Sequence, residues 1–184
     1  MPAALLIIDV QEGLFRTDAP PADAPRVIAR INALAARARA ARAPVVFIQH
    51  ESPSGTPLAR GTPGWSLDRD LDVHPQDRIV RKTTPDSFQG TDLSHWLWQH
   101  AVDEVVICGY ATEFCVDTTA RRAAGLGLHV TLVSDGHTTC DRAHAKADAI
   151  RAHHNATLPA IRSFGVTIRA VPAEAVAFAA ALAA

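Results

Sequence analysis

The sequence lacks several features that would indicate particular classes of protein. Its 184 residues include only 3 cysteines, and 18 Lys and Arg residues nearly balance 19 Asp and Glu residues, for a formal net charge of -1. Three cysteines cannot build a disulfide framework, and so sparse a count fits a reducing compartment. The absence of a basic excess argues against nucleic acid as a partner. We therefore expect a cytoplasmic protein that binds no nucleic acid.

Long hydrophobic runs are also missing. The apolar stretch at residues 5–8 is interrupted by Asp9 and has no basic segment before it. A signal peptide needs roughly 7–15 apolar residues and a membrane helix roughly 20, so we expect no membrane association. The alanine-rich segment 173–184 is expected to form a helix docked on the body. The length suits a single domain, residues 1–184, with one sizeable core.

What is present is an alternation of short β-rich runs with longer helical stretches. Strands are predicted at residues 4–10, 44–50, 79–81, 104–110, 129–134 and 166–171, and helices at residues 23–43, 93–101, 113–125 and 142–161. This rhythm predicts an α/β fold of three layers, α/β/α, around a six-stranded, mainly parallel, Rossmann-like sheet. Ligands of such sheets bind at the carboxyl ends of the strands.

Three polar residues follow predicted strands and carry complementary chemistry. Asp9 ends an apolar strand, where a carboxylate needs a partner. Lys82 is one of only two lysines beside 16 arginines, which favours a role for its compact ammonium group. Cys115 lies where a strand turns into a helix, and we expect the helix N-terminus and a nearby ammonium group to lower its pKa. Such a set suits acyl transfer through a thioester, with backbone N–H groups of residues 111–115 binding the oxyanion.

Each of these residues also has a plainly structural interpretation. Asp9 could cap a loop, and Lys82 could be a solvated surface lysine. A cysteine is most often a small buried hydrophobe. We adopt that last interpretation for Cys108, within an apolar strand, and for Cys140, which has no obvious activating partner, but not for Cys115.

Three motifs stand in order along most of the chain. They are LLIIDVQ at residues 5–11, Lys82 followed by SFQGTDL at residues 87–93, and GYATEFCV at residues 109–116 with Thr119 and Ala120 beyond. Together they resemble the isochorismatase-like cysteine hydrolases, which include nicotinamidases and N-carbamoylsarcosine amidases.

The resemblance implies specific roles for residues of this chain. Asp9, Lys82 and Cys115 would form a catalytic triad. A cis peptide bond between Tyr110 and Ala111 would direct the Ala111 N–H towards the oxyanion, beside that of Cys115. The resemblance also implies a homo-oligomer, a dimer or a tetramer.

Two comparisons with that family bear on the reaction. Nicotinamidases bind a metal through an Asp-x-His and a further His after the second strand, whereas this chain has Gln49-His50-Glu51 there and no second His before His74. We therefore predict no metal and no cofactor. Cys115 favours cleavage of an amide or ureido C–N bond in a small molecule. The alternatives are an isochorismatase-type vinyl-ether hydrolase, which needs no thioester, and a non-catalytic binding protein of the same fold.

Other residues are weaker candidates for the site. Phe15 and Phe88 could wall the substrate pocket or belong to the core. His50 could line the pocket or cap its strand, and Trp65 could be an aromatic residue of a lid or an anchor at a subunit interface. His137 is expected at the rim of the site. Specificity is expected to lie in the long irregular stretch at residues 51–73 or in a neighbouring subunit.

Overall fold

The computed structural model describes residues 1–178, and a six-stranded sheet forms its centre. The strands are β1 (Ala3–Ile8), β2 (Val45–His50), β3 (Arg78–Lys82), β4 (Glu104–Tyr110), β5 (His129–Thr138) and β6 (Ile168–Val171). Their order in the sheet is β3-β2-β1-β4-β5-β6, and every neighbouring pair is parallel. The predicted six-stranded parallel sheet is confirmed.

Helices cover both faces of this sheet. They are α1 (Glu12–Phe15), α2 (Ala24–Ala40), α3 (Leu93–Gln99), α4 (Asp117–Gly125) and α5 (Ala147–Ala160). A π-helical turn, Thr112–Val116, precedes α4, and Pro63–Trp65 forms a 3₁₀ turn within the long stretch at residues 51–73. Among residues 1–178, none of the helices combines the length and apolar character needed to cross a membrane.

The sheet separates two hydrophobic cores. Every residue of β1 is buried, as its continuously apolar sequence predicts for a central strand. Leu5 and Ile7 belong to the core under α2, whereas Leu6 and Ile8 belong to the core under α3 and α4. We call these the α2 core and the α3/α4 core. This alternation fixes which side chains share a face at the end of each strand.

Two element boundaries differ from the prediction because of tertiary contacts. Strand β5 continues four residues past its predicted end, since the register shifts between Ile107 and Gly109 and the segment beyond pairs with the end of β4. Helix α5 begins at Ala147 and not at residue 142, and the Asp141 carboxylate accepts a hydrogen bond from the Ala147 N–H at 2.9 Å.

The helix expected at residues 173–184 is absent from its described part. Ala173–Ala175 forms only a 3₁₀ turn, and residues 176–178 are not helical. The Arg37 guanidinium donates hydrogen bonds to the carbonyls of Ala173, Glu174 and Val176, which an α-helix would need for its own ladder. Residues 179–184 lie outside the described part of the chain.

Candidate active site

The carboxyl ends of β1 and β3 bring a carboxylate and an ammonium group together inside the protein. Lys82 Nζ donates a hydrogen bond to Asp9 Oδ2 at 2.7 Å, and the two side chains are 0% and 3% exposed. Lys82 Nζ also donates to the Thr84 carbonyl at 3.1 Å and lies 3.5 Å from His50 Nδ1. Lys82 is therefore a buried, fully partnered lysine and not a surface one.

The backbone at Asp9 decides which face its carboxylate occupies. Regular alternation after Ile7 and Ile8 would turn residue 9 towards the α2 core, away from Lys82. Asp9 instead adopts a left-handed conformation with φ of 51°, which Asp tolerates better than most residues. Val10 consequently returns to the α2 core. One left-handed residue thus places the carboxylate on the face where the Lys82 side chain lies.

A glycine allows β4 to approach β1 beside this turn. Gly109 has φ of 115°, and a Cβ atom there would lie 2.1 Å from the Ile8 carbonyl oxygen. Only glycine fits this position, since the obstructing atoms belong to backbone and cannot rotate away. Gly109 therefore sets the spacing between the strand that ends in Asp9 and the strand that leads to Cys115.

Cys115 lies on the π-helical turn that follows β4. The peptide bond between Tyr110 and Ala111, just before this turn, is cis. The Cys115 side chain is partly buried, and it lies close enough to Asp9 and Lys82 for both to act on its ionisation. The structure therefore brings together the three residues that the sequence singled out.

The expected lowering of the Cys115 pKa is wrong. The pKa of Cys115 is raised to about 12, first by burial and then by the Asp9 charge, with the Lys82 charge opposing both. Desolvation disfavours the thiolate more than one ammonium group, already paired with a carboxylate, can favour it. The thiol is consequently neutral near pH 7 and needs a base before it can attack.

Asp9 has an oxygen suited to that task. Its Oδ1 atom is buried and has no hydrogen-bond partner among the described residues, whereas Oδ2 accepts from Lys82. A buried carboxylate oxygen without a donor is uncommon, since such groups are normally satisfied. Its lone pairs remain available to accept a proton from the neighbouring thiol.

His50 borders a cavity whose lining includes none of Asp9, Lys82 and Cys115. The cavity has a volume of about 390 Å³ and is also lined by Thr83, Arg60 and residues 51–54. Burial, followed by the Lys82 charge, lowers the pKa of His50. The amide of Gln11 holds the His50 backbone from both sides, accepting from its N–H at 2.8 Å and donating to its carbonyl at 3.0 Å.

The aromatic candidates lie at three different places. Phe15 is buried in the α2 core and packs edge-on against Tyr110 at 5.8 Å, and Phe88 is buried in the α3/α4 core. Trp65 lies against the guanidinium of Arg81, 5.2 Å from the ring centroid. Arg81 and Lys82 are adjacent strand residues and point to opposite faces of the sheet.

Some residues that organise the site were missed or misplaced by sequence reasoning. Gln11 was part of a motif but had no assigned role, although a polar residue directly after a buried strand is a usable signal. Ser87 and Thr119, from two other motifs, share a buried hydrogen bond of 2.8 Å that joins the segment after Lys82 to α4. His137 is fully buried and not at the rim.

The described residues give no metal site. Among residues 1–178, no group of three or more His, Cys, Asp or Glu side chains is arranged to hold a metal ion. His50 has Lys82 as its neighbour, and an ammonium group repels a cation.

Comparisons with known proteins identify the family of the chain. The isochorismatase domain model matches residues 3–163. Two streptothricin hydrolases of Streptomyces noursei are each 41% identical over 138 residues, which cover 75% of this chain but only 50% and 55% of those proteins. The matched segment thus spans about half the length of these relatives.

Solved structures give the same family. A crystal structure of an isochorismatase family protein is 36% identical, with a TM-score of 0.82, and the match covers 92% of this chain and 98% of that one. An isochorismatase from Pseudomonas putida KT2440, at 24% identity and a TM-score of 0.86, covers 95% of this chain and 90% of its own and shares the fold. The chain belongs to the isochorismatase family of hydrolases.

Proposed function

We propose that the protein hydrolyses a C–N bond of a small amide or ureido compound through a thioester on Cys115. One observation carries the proposal: a partly buried thiol lies beside a buried Lys82–Asp9 pair of 2.7 Å whose Asp9 Oδ1 has no partner among the described residues. A vinyl-ether hydrolase would use the carboxylate but has no need of the thiol. A binding protein has need of neither.

Acylation begins with proton transfer from the Cys115 thiol to Asp9 Oδ1. The thiolate attacks the substrate carbonyl, and the resemblance to the family assigns the oxyanion to the N–H groups of Ala111 and Cys115. Collapse of the tetrahedral intermediate breaks the C–N bond, and protonated Asp9 gives its proton to the departing nitrogen. The products are a thioester on Cys115 and a free amine or ammonia.

Deacylation reuses the same carboxylate. Asp9 accepts a proton from a water molecule as that water attacks the thioester carbonyl. The C–S bond breaks, and the thiolate regains a proton from Asp9. Lys82 holds the Asp9 carboxylate in place throughout and, as the nearest positive charge, opposes the rise in the Cys115 pKa.

The cavity bordered by His50 and Thr83, the residue after Lys82, is the proposed substrate pocket. Its volume of about 390 Å³ suits a small molecule. His50 is the proposed contact, because Lys82 lies on its Nδ1 side and leaves Nε2–H as the donor of the neutral ring. The streptothricin hydrolases make streptothricin itself one candidate substrate. We further propose a cytoplasmic homo-oligomer that needs no metal.

The test is turnover of a panel of primary amides, ureido compounds, nicotinamide and streptothricin, followed by mass spectrometry and ammonia release with a chelator present. We expect at least one compound to be hydrolysed at its C–N bond by the wild type and none by Cys115→Ala. Trapping of an acyl adduct on the Cys115 peptide would support the thioester directly.

Two outcomes would contradict the proposal. Turnover that survives in Cys115→Ala excludes a thioester and favours the vinyl-ether hydrolase. A C–N bond cleaved only when a metal is supplied excludes the metal-independent mechanism. Cys108→Ala is the matched control, because that cysteine is fully buried in the α2 core and should leave turnover intact.

A further inference from the structure

A buried histidine connects the turn that carries Cys115 to helix α5. His137 has no solvent exposure, and both of its ring nitrogens are hydrogen-bonded. Nδ1 lies 2.8 Å from Thr112 Oγ1, and Nε2 lies 2.9 Å from Asn155 Oδ1. The proposed mechanism uses none of these three side chains. A buried network with every member satisfied holds its elements in one arrangement.

The bonds of Asn155 determine which nitrogen of His137 carries the proton. Asn155 Nδ2 donates to the Ser134 carbonyl at 2.9 Å, so Asn155 Oδ1 must accept from His137 Nε2–H. His137 Nδ1 then has a free lone pair and accepts from the Thr112 hydroxyl. Burial lowers the pKa of His137 to about 4, so the ring is neutral near pH 7, as this arrangement requires.

The sheet fixes the position of this histidine. His137 is in register with Gly109, and Thr138 is in register with Tyr110. Thr112 is the first residue of the π-helical turn that contains Cys115. The imidazole therefore spans the distance from a paired strand to the start of that turn.

A second tether holds the turn from its outer side. Glu113 Oε1 accepts from Thr139 Oγ1 at 2.9 Å and from Arg142 Nε at 2.7 Å. The Arg142 side chain is 31% exposed, so water competes for this contact. The Thr112–His137 bond is the buried tether of the two and the one that water cannot replace.

We propose that His137 is a positioning residue that, through Thr112, holds the turn of Cys115 against the Asp9–Lys82 pair. Asn155 fixes the tautomer that makes this possible. The inference rests on the proposed role of Cys115 as the nucleophile. A histidine that only fills the core would affect the stability of the fold but not the environment of that one thiol.

The test compares alkylation of the three cysteines by iodoacetamide at pH 8, followed by peptide mass spectrometry. Thr112→Val removes the hydroxyl and keeps the shape of the side chain, whereas Thr112→Ser keeps the hydroxyl. Because a loosened turn releases the thiol from burial, we expect Cys115 in Thr112→Val to react at least about fivefold faster than in the wild type. Thr112→Ser should stay within about twofold of the wild type, because it keeps the hydrogen bond.

Two controls are built into the chain. Cys108 is 0% exposed and should stay unmodified, since it reports opening of the whole fold. Thr131→Val removes a buried hydroxyl group from β5, the strand that also contains His137. That hydroxyl bonds to Glu104 and not to the turn of Cys115, so this variant should alkylate at Cys115 at the wild-type rate. A wild-type rate in Thr112→Val, or equal acceleration at Cys108, would overturn the proposal.

The experiment also separates this inference from the proposed function. Alkylation needs no substrate, so it can be read even if the amide panel fails. If a substrate is found, Thr112→Val should lower kcat at least about tenfold with little change in KM, as expected for a misplaced nucleophile. If Thr112→Val does not fold, Asn155→Ala on α5 takes its place: faster alkylation of Cys115 alone would support the proposal, and a wild-type rate would overturn it.

Discussion

Two carboxylate–cation pairs lie at opposite ends of the strands of the sheet. They differ in whether a carboxylate oxygen is left without a hydrogen-bond partner. Near the amino ends of the strands, Glu104 Oε1 accepts from Arg169 at 2.8 Å and from the Thr131 hydroxyl, and the Arg169 side chain is 54% exposed. At the carboxyl ends, the Lys82–Asp9 pair is almost wholly buried, and one Asp9 oxygen has no partner among the described residues.

The difference supports the proposal that the Glu104–Arg169 pair is structural and the Asp9–Lys82 pair chemical. In the first pair the cation is exposed, the carboxylate oxygen has two donors, and its bonds join neighbouring strands. A buried pair is costly to desolvate and is weak evidence for a stabilising role. The unsatisfied oxygen at Asp9 adds to that cost, and it is also the atom that a base needs.

The largest effect should come from removing the charge at position 9. Asp9→Asn keeps a side chain that tolerates the left-handed backbone but cannot accept the thiol proton. We expect kcat/KM for the amide identified in the panel to fall roughly 10²–10⁴-fold. Glu104→Gln, the matched change at the other edge, should retain near wild-type activity. Equal losses of kcat/KM in Asp9→Asn and Glu104→Gln would refute the distinction between the two pairs.

Removal of Lys82 and removal of Arg169 should lower the free energy of unfolding by different amounts. Lys82→Met leaves the Asp9 carboxylate buried without its partner, and we expect a loss of about 3–5 kcal/mol in the free energy of unfolding. Arg169→Met should lose less, because the Arg169 side chain is 54% exposed and the Glu104 carboxylate keeps the Thr131 hydroxyl as a donor. Urea denaturation measures both. Partial recovery in the double variant Lys82→Met/Asp9→Asn would confirm that the isolated charge causes the loss.

His137 should make the stability of the fold depend on pH in the acid range. Its pKa is lowered to about 4 in the folded protein, first by burial, so the unfolded chain takes up the proton more readily. The stability contributed by the neutral ring is fully present above about pH 6.5 and is lost as the pH falls towards 4, by about 3 kcal/mol at most. In His137→Gln, the urea midpoint should depend less on pH across that window. An unchanged slope would show that His137 binds protons equally in the folded and unfolded states, and would contradict the lowered pKa.

The smallest effect concerns the reactivity of Cys115. Its pKa of about 12 means that wild-type Cys115 should react with iodoacetamide at pH 8 more slowly than free cysteine, whose pKa is about 8.5. Asp9→Asn removes a charge that raises this pKa and should speed alkylation, whereas Lys82→Met removes the opposing charge and should slow it. Glu104→Gln should change nothing. Alkylation of wild-type Cys115 faster than that of free cysteine would contradict the raised pKa of this thiol.

Much of the fold could be predicted because hydrophobic patterning is local. The apolar run at the start of the chain and the periodic Ala, Leu and Ile of α2 identify their elements without tertiary information. The end of β5 could not be found this way, since residues 135–138 (DGHT) have the composition of a turn and become a strand only by pairing with β4. The described part of the helix predicted from residue 173 onwards, residues 173–178, is not α-helical for a similar reason, because the Arg37 guanidinium binds the carbonyls of Ala173, Glu174 and Val176.

The proximity of the candidate site residues was predictable, but their environment was not. Asp9, Lys82 and Cys115 stand at strand ends, and parallel strands bring such ends together. The Cys115 pKa depends on how much water the folded protein excludes, which spacing along the chain does not reveal. His137 was misplaced for the same reason: a polar residue after a strand is expected at the rim unless α5 is known to cover it.

If Asp9 is the base of the proposed mechanism, its left-handed backbone makes one residue serve both the chemistry and the path of the chain. Most L-residues are strained in that conformation, whereas Gly, Asn and Asp tolerate it. A library selected only for folding should therefore accept these three residues at position 9, while a library selected for turnover should keep Asp alone. Asp9→Asn is then a short evolutionary step from an enzyme to a folded, inactive relative, and Asp9→Glu, although it keeps the charge, is not a conservative change.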